Sequence, residues 1–453
     1  TITYKRYVNA VGTDEWDLIG SPVDGLSISS FSSTNTSGTA TLAQSSAQYA
    51  IGLFDNSDNT WDNLTSDGSG AGNVSAAGNF DIGKGYAMGS VSGGTGLLVF
   101  TGDIAVVDQT QAIIDNSSSG RRWDLIANPF PSFINANDDA HATNNFLTVN
   151  ADQLHDTYEA VYGWDADTSG YTAYNHTSPG SAVYIAPGQG FFVASDDSGG
   201  NTISFTEAMQ TVSGSDDFIS GDTMDDSYEV LLRLYHGEEE IAETRLYFED
   251  GLSLGLNPGY DAGAFDQNAA LMTRLVEEDE GHGLVINAMS TESMDDVVIP
   301  LEINQTSGQE FRINLHTSTI GEVNVYLEDT ELGTLTLLNE EDFVMTPTYD
   351  LSDAGRFYIH LTADTLSDGE VNTSLLNAYK GVDNNYITIE GLATQATSTE
   401  VSLYNIIGTR VMDISLDNTT NTQMISTNGL STGIYVLKLV SGENQLTKKL
   451  IIK

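Results

Sequence analysis

The chain reads as an all-β protein of tandem β-sandwich domains, and three observations predict it. Forty-four glycines, with abundant Ser, Thr, Asn and Asp, break the 453 residues into short runs. Those runs alternate apolar and polar residues, the pattern of half-buried strands. Apolar residues at helical spacing are scarce, the best candidate being a turn or two around residues 135–147. The length exceeds what one hydrophobic core usually supports, so several domains are expected.

The N-terminal half carries a duplication. Trp16-Asp17-Leu18-Ile19-Gly20-Ser21-Pro22 recurs as Trp123-Asp124-Leu125-Ile126-Ala127-Asn128-Pro129, an offset of 107. Gly52-Leu53-Phe54-Asp55 is echoed by Tyr162-Gly163-Trp164-Asp165, and the run Ile82 to Met88 by Ile185 to Val193. Two β units follow, 1–110 and 111–214. In each, the Trp and the alternating Leu suit a core, and the proline ends ladder pairing.

Residues 215–365 form a third unit. Tyr228 to Tyr235 and Ile241 to Phe248 alternate on either side of Gly237-Glu238-Glu239-Glu240, which reads as a hairpin. Further period-two runs lie at 311–315, 323–327 and 356–361. Residues 366–379, with Ser367-Asp368-Gly369 and little alternation, read as a linker.

The C-terminal segment, 380–453, holds three ordered motifs. Leu403-Tyr404-Asn405 leads to a turn at Gly408; Gly433-Ile434-Tyr435 continues to Lys438-Leu439; and the chain ends Lys448-Lys449-Leu450-Ile451-Ile452-Lys453. By residues alone this is a small antiparallel sandwich, with the lysines of the last strand expected on a different face from Leu450 and Ile452 and open to a receptor.

The order and spacing of these motifs resemble the type A C-terminal sorting domain of the type IX secretion system of Bacteroidetes-type bacteria. The resemblance implies a small Ig-like fold, transit through the periplasm to the outer cell surface or beyond, and partners in the secretion translocon and its shuttle components. Val325-Tyr326-Leu327-Glu328-Asp329 with Gly333 and Arg356-Phe357 resembles an Ig-like module that often precedes such domains.

Charge marks the same boundary. Residues 380–453 hold six basic and six acidic groups, so the formal net charge of −48 lies before them. Residues 1–215 carry 5 basic against 23 acidic groups, and 216–365 carry 5 against 33. Such a body repels phosphates and anionic head groups, which excludes a nucleic-acid role. With no cysteine, disulfides and thiol chemistry are absent. No apolar run reaches the roughly 18 residues of a membrane span. The chain opens inside the alternating run Ile2 to Val8, which reads as a mature or truncated form that has lost a signal peptide.

Catalytic motifs are missing: there is no Gly-x-Ser-x-Gly elbow, His-Glu-x-x-His pair or phosphate loop, and the seven histidines are scattered. The expectation is a protein that is not an enzyme. Two binding chemistries have residues to carry them. Asp165, Asp167 and Ser169 before Gly170 follow the oxygen spacing that opens a calcium loop, but His176 stands where the closing acid belongs, and Trp164 and Tyr171 equally suit a plain hairpin. Asp55, Asp58 and Asp62 form a second oxygen-rich loop at the comparable place. Trp61, Trp164, Tyr171 and Tyr174 near loops are candidates for a glycan platform, against ordinary core packing. The expected role is a secreted surface protein, structural or adhesive, able to self-assemble through exposed strand edges with Ile2 to Val8 as donor strand; the alternatives are a carbohydrate-binding adhesin or the non-catalytic part of a secreted hydrolase.

Overall fold

A computed structural model describes residues 1–453 other than 13–15, 37–40, 117–121, 166–169, 178–180, 197–199, 215–227, 322, 353, 364–375, 381–385, 394, 406–408, 421, 432, 443 and 453. Contacts divide the chain into two units, the first comprising 1–225 with 258–260, the second 226–257 with 261–453.

The first unit contains the duplication. Its first repeat runs β1 (Ile2–Tyr7), β2 (Asp17–Ile19), α1 (Ile28–Thr36), β3 (Gln44–Ser45), β4 (Gln48–Asp55), β5 (Thr60–Thr65), β6 (Tyr86–Met88) and β7 (Leu97–Gly102). Its second runs β8 (Gln109–Ile113), β9 (Trp123–Ala127), β10 (Phe133–Asn135), α2 (Phe146–Asn150), β11 (Val161–Asp165), β12 (Gly170–Tyr174), β13 (Tyr184–Ile185), β14 (Gly190–Ala194) and β15 (Asn201–Phe205). Pairing repeats too. β1 joins β7 as β8 joins β15, and the order β2-β6-β4 with β5 beside β4 matches β9-β14-β11-β12.

Two side-chain latches hold each repeat. Asp17 accepts from the backbone N–H of Asn9 at 2.6 Å, and Asp124 from that of Ile114 at 3.0 Å, so the repeated Trp-Asp fixes the chain within two residues of the end of the first strand. In α1, Asn35 accepts from the Val99 N–H at 2.8 Å and donates to the Val99 carbonyl at 3.1 Å. In α2, Asn150 does the same with Ser204, at 2.7 and 3.0 Å. One turn earlier, Phe31 and Phe146 are fully buried and meet Phe100 and Phe205 with ring centroids 4.8 and 5.5 Å apart. An amide on a helix that pairs with a strand backbone satisfies polar groups that burial would otherwise strand.

Helix α1 was not foreseen. Its sequence is rich in Ser and Thr, weak helix formers. Ser27 caps it by accepting from the Ser30 N–H at 3.0 Å, and Ser32 and Thr36 donate to the carbonyls four residues back. Helix α2 falls at the end of the expected 135–147 turn, capped by Asn145.

The second unit begins with the expected hairpin, Tyr228–His236 against Glu239–Phe248. It belongs to an eleven-stranded sheet, antiparallel except where 239–248 meets 284–289. Phe343 and Leu327, from opposite ends of that ladder, share one core with Leu234, Leu246, Ile299 and Val325, so the sheet wraps over itself. Residues 376–452 form a small sandwich of three and four strands around Ile387, Val401, Leu403, Leu437 and Leu450.

The last strand, Asn444–Ile452, corrects one expectation. Lys448 lies on the same face as Leu450 and Ile452, since residues two apart share a face, and all three are buried. Burial pushes the Lys448 ammonium below its usual range.

Candidate functional site

The two repeats differ where their sheets carry a transverse row of side chains. In the second repeat the row runs Leu125, Phe192, Tyr162, Ala173, each the register partner of the next. In the first it runs Leu18, Ala87, Gly52, Asn63. Phe192 and Tyr162 are wholly buried, and Tyr162 packs edge-on against Trp123 at 4.7 Å. The first repeat has an alanine and a glycine in their places.

The missing bulk leaves a groove. It has a volume of about 500 Å³ and is lined by Trp16, Trp61, Trp164 and Tyr171 together with Leu18, Gly52 and Ala87, and by the polar Gln48, Asp62 and Asn63. Its size is that of a small-ligand site. Phe54 and Trp61 face one another across β4 and β5 with centroids 5.2 Å apart, and Trp164 and Tyr171 do so across β11 and β12 at 5.0 Å. The counterpart of the groove is filled: Phe192 sits 4.8 Å from Phe54 and 6.2 Å from Trp61. Ala87 provides no such ring for Trp164.

The polar groups at the groove are uncommitted. Among the described residues the side chains of Gln48, Asp62 and Asn63 make no hydrogen bond or ion pair, and the buried Nε1–H of Trp164 has no acceptor. Nearby loop residues behave differently. Asp55 accepts from the Ser57 N–H at 2.8 Å, Asp58 from the Thr60 N–H at 3.2 Å, and Asp67 from the Ser69 N–H at 3.1 Å. Hydrogen bonds from Ser57 hold the Asp55 carboxyl below its usual range, and those from Ser69 do so for Asp67. These acids brace their own turns.

Of the glycan candidates, Trp61, Trp164 and Tyr171 are brought to one groove, with Trp61 42 % exposed. Tyr174 is buried in the core instead. Trp16 and Asn63 were missed. Trp16 belongs to a repeated motif whose second copy, Trp123, is core, and only comparison of the paired rows sets them apart.

Of the calcium candidates, Asp167 and Ser169 lie outside the described residues, as does the Asp165 side chain. Asp55 and Asp62 line one recess with Lys84 and Asp124, and Asp62 also borders the groove, while Asp58 braces its own turn. Among the described residues no three Asp, Glu or His side chains are placed to hold a metal ion.

Position alone also hid a charged cluster. His176 Nδ1 lies 3.0 Å from Asp138 Oδ1 and its Nε2 2.9 Å from Glu159 Oε1. Burial disfavours the imidazolium, but the hydrogen bonds to Glu159 and Asp138 outweigh it and raise the His176 pKa. The His176 N–H donates to the Gly259 carbonyl at 3.0 Å, so the cluster braces the 258–260 segment of the first unit. In the recess that shares Asp62 with the groove, burial raises the Asp124 carboxyl to about 7.

The sorting motifs are built into their sandwich. Leu403 and Leu439 are core, Asn405 Oδ1 accepts from the Thr409 N–H at 2.9 Å to close the turn, and the Tyr435 hydroxyl donates to the Ser431 carbonyl at 2.7 Å. Tyr404 is half-buried, and Lys438 pairs in register with Ser402 and Thr447. Gly408 and Lys453 lie outside the described residues, as do the side chains of Ile434, Lys449 and Ile451. The strand offered as a donor, Ile2–Tyr7, is paired within its own chain to β7 over six residues.

Residues 383–453 match the secretion system C-terminal sorting domain, and no helix among the described residues is long and apolar enough to cross a membrane. The chain therefore carries a type IX sorting domain and is exported to the cell surface or the extracellular space. No curated protein matches the chain significantly. Residues 1–361 match a domain of unknown function, DUF8693, and the chain belongs to that family.

Proposed function

We propose that this member of the DUF8693 family is a surface adhesin that binds carbohydrate in the groove lined by residues of both repeats. What supports the reading is one observation: three tryptophans and a tyrosine line a recess beside three polar side chains that have no partner of their own among the described residues. Sugar rings present apolar C–H faces to aromatic rings and hydroxyls to amides and carboxylates. Each half of that chemistry is present. Trp61 packs against Phe54 and Phe192 yet stays 42 % exposed, and the Gln48 and Asn63 amides make no hydrogen bond among the described residues, whereas the buried Asn150 amide is bonded.

The rival reading, self-assembly by strand addition, has less to stand on, because β1 is already paired with β7. The export route suits either.

The test is a glycan array probed with the full chain, followed by calorimetry on the best oligosaccharide. Trp61→Ala and Trp164→Ala should each weaken binding about tenfold, equivalent to about 1.4 kcal/mol. Absence of any glycan ligand, or binding indifferent to both substitutions, would sink the reading.

A further inference from the structure

We infer that the secretion machinery reads the sorting domain on one sheet face, through Tyr404, Val436 and Lys438, and that the protein docking there presents a carboxylate beside apolar surface. The sorting domain implies contact with that machinery. Alternation along the strands divides the residues that could make it. Leu403, Leu439, Leu450 and Ile452 are core, Lys448 is buried on their side, and Asn405 and Tyr435 are bonded within the domain, so these residues serve the fold. Tyr404 and Lys438 have the opposite parity to Leu403 and Leu439. Tyr404 is the register partner of Val436, and Ser402 of Lys438, across the strands Thr399–Asn405 and Gly433–Ser441. The four side chains form one block on the outer face, with Val436 37 % exposed.

The polar groups around the block bond to one another. Arg410 lies 2.8 Å from Asp413, Ser402 donates to Asp413 at 3.1 Å, and Ser415 donates to Glu400 at 2.7 Å. Among the described residues the Tyr404 hydroxyl and the Lys438 ammonium make no hydrogen bond or ion pair. An uncommitted ammonium beside a ring and a valine suits a protein that brings one carboxylate and apolar surface, since docking then pairs the charge while it removes the ring and the valine from water. A membrane fits less well. Anionic lipid is held by several free cations acting together, whereas the described side chains of this face set Glu400 and Asp413 against Arg410 and Lys438. The opposite sheet supplies a control. Met424, 66 % exposed, is the register partner of Thr388 there, and its outer face shows no charged group among the described side chains.

The experiment produces the full-length protein in a type IX-secreting bacterium and compares, by fractionation, the amount on the surface and in the medium with the amount held in the periplasm. Lys438→Glu and Tyr404→Ala should each cut delivery about tenfold or more, while Lys438→Arg stays within about twofold of wild type. Met424→Lys and Lys448→Met should be delivered normally. Thermal melts of the purified chains show which variants are folded, and Lys438→Glu, at an outward position, decides the matter if Tyr404→Ala does not fold. Normal delivery of a folded Lys438→Glu or Tyr404→Ala protein overturns the inference, and so does a loss with Met424→Lys as large as theirs. A folded Lys448→Met protein that stays in the periplasm also overturns it, because a buried group would then be the one recognised. Flotation of the full chain with vesicles containing anionic lipid separates the two partner classes. The chain should remain unbound, and flotation that Lys438→Glu abolishes would replace the protein partner with lipid.

Discussion

Gly52 is the cross-strand partner of Ala87, in the register that joins Tyr162 to Phe192 in the second repeat. Duplication gave both copies the same ladder, so the groove depends on what stands at one pair of positions. Restoring the bulk is the direct test. A Cβ on Gly52 would lie 3.1 Å from Asn63 Oδ1 and 3.4 Å from the Ala87 Cβ, so a side chain there enters the floor of the groove. Gly52→Tyr with Ala87→Phe should lower glycan affinity at least tenfold, about 1.4 kcal/mol or more, while the protein still unfolds cooperatively. Calorimetric titration beside a thermal melt reads both, and unchanged affinity would place the ligand elsewhere.

The asparagine latches make a separate prediction about stability. Asn35→Ala removes the acceptor for the Val99 N–H and the donor to its carbonyl, and Asn150→Ala does the same at Ser204. Each should destabilise the first unit by about 1–3 kcal/mol, since buried backbone groups are left without partners. The two sites lie in different repeats with no shared partner, so the double variant should show the sum. Urea unfolding followed by tryptophan fluorescence would measure it. A loss well under 1 kcal/mol at either site would mean that water replaces the amide.

Much of this architecture was legible in the sequence. Trp16-Asp17-Leu18-Ile19 and its second copy exposed the duplication, and period-two runs located the 228–248 hairpin, because both signals are local. The site was half legible. Trp61, Trp164 and Tyr171 stood out as aromatic residues near turns, but what makes a groove of them is the small size of Gly52 and Ala87, which carries no signal until the register sets them beside Tyr162 and Phe192. Lys448 shows the opposite error. Its type suggested solvent, yet its parity with Leu450 and Ile452 already assigned it to the buried face.

Asp124 predicts a dependence on pH. Burial raises its carboxyl to about 7, against the pull of hydrogen bonds from the Ile114 N–H and the Asn56 amide. An unfolded aspartate titrates near 3.9. The folded value is the higher one, so this group's contribution is fully present below about pH 3.9 and is lost as pH rises through about 7. Between pH 4 and 8 the loss should be on the order of 2 kcal/mol, allowing for partial exposure. Asp124→Asn should reduce that slope by this amount in unfolding free energies measured across the range, leaving the share of Asp261, whose carboxyl burial also raises to about 7. A slope unchanged from wild type in the variant would assign it to another group.

His176 is a further group with the right sign, and its imidazole can be told apart from the carboxyls of Asp124 and Asp261, the latter also raised by burial to about 7. Its folded pKa lies above 6.5 because Glu159 and Asp138 outweigh the cost of burial. Its contribution is therefore complete below the unfolded value and disappears as pH climbs through the folded one. Replacing Glu159 with Gln keeps an oxygen near Nε2 but removes the charge that favours the imidazolium. The variant should lose about 1–3 kcal/mol at pH 6 and less at pH 9, where the wild-type imidazole has released its proton. The His176 ring resonances, followed by NMR through the titration, should move to a lower midpoint in the variant. An unmoved midpoint would mean that Asp138 alone holds the proton in place.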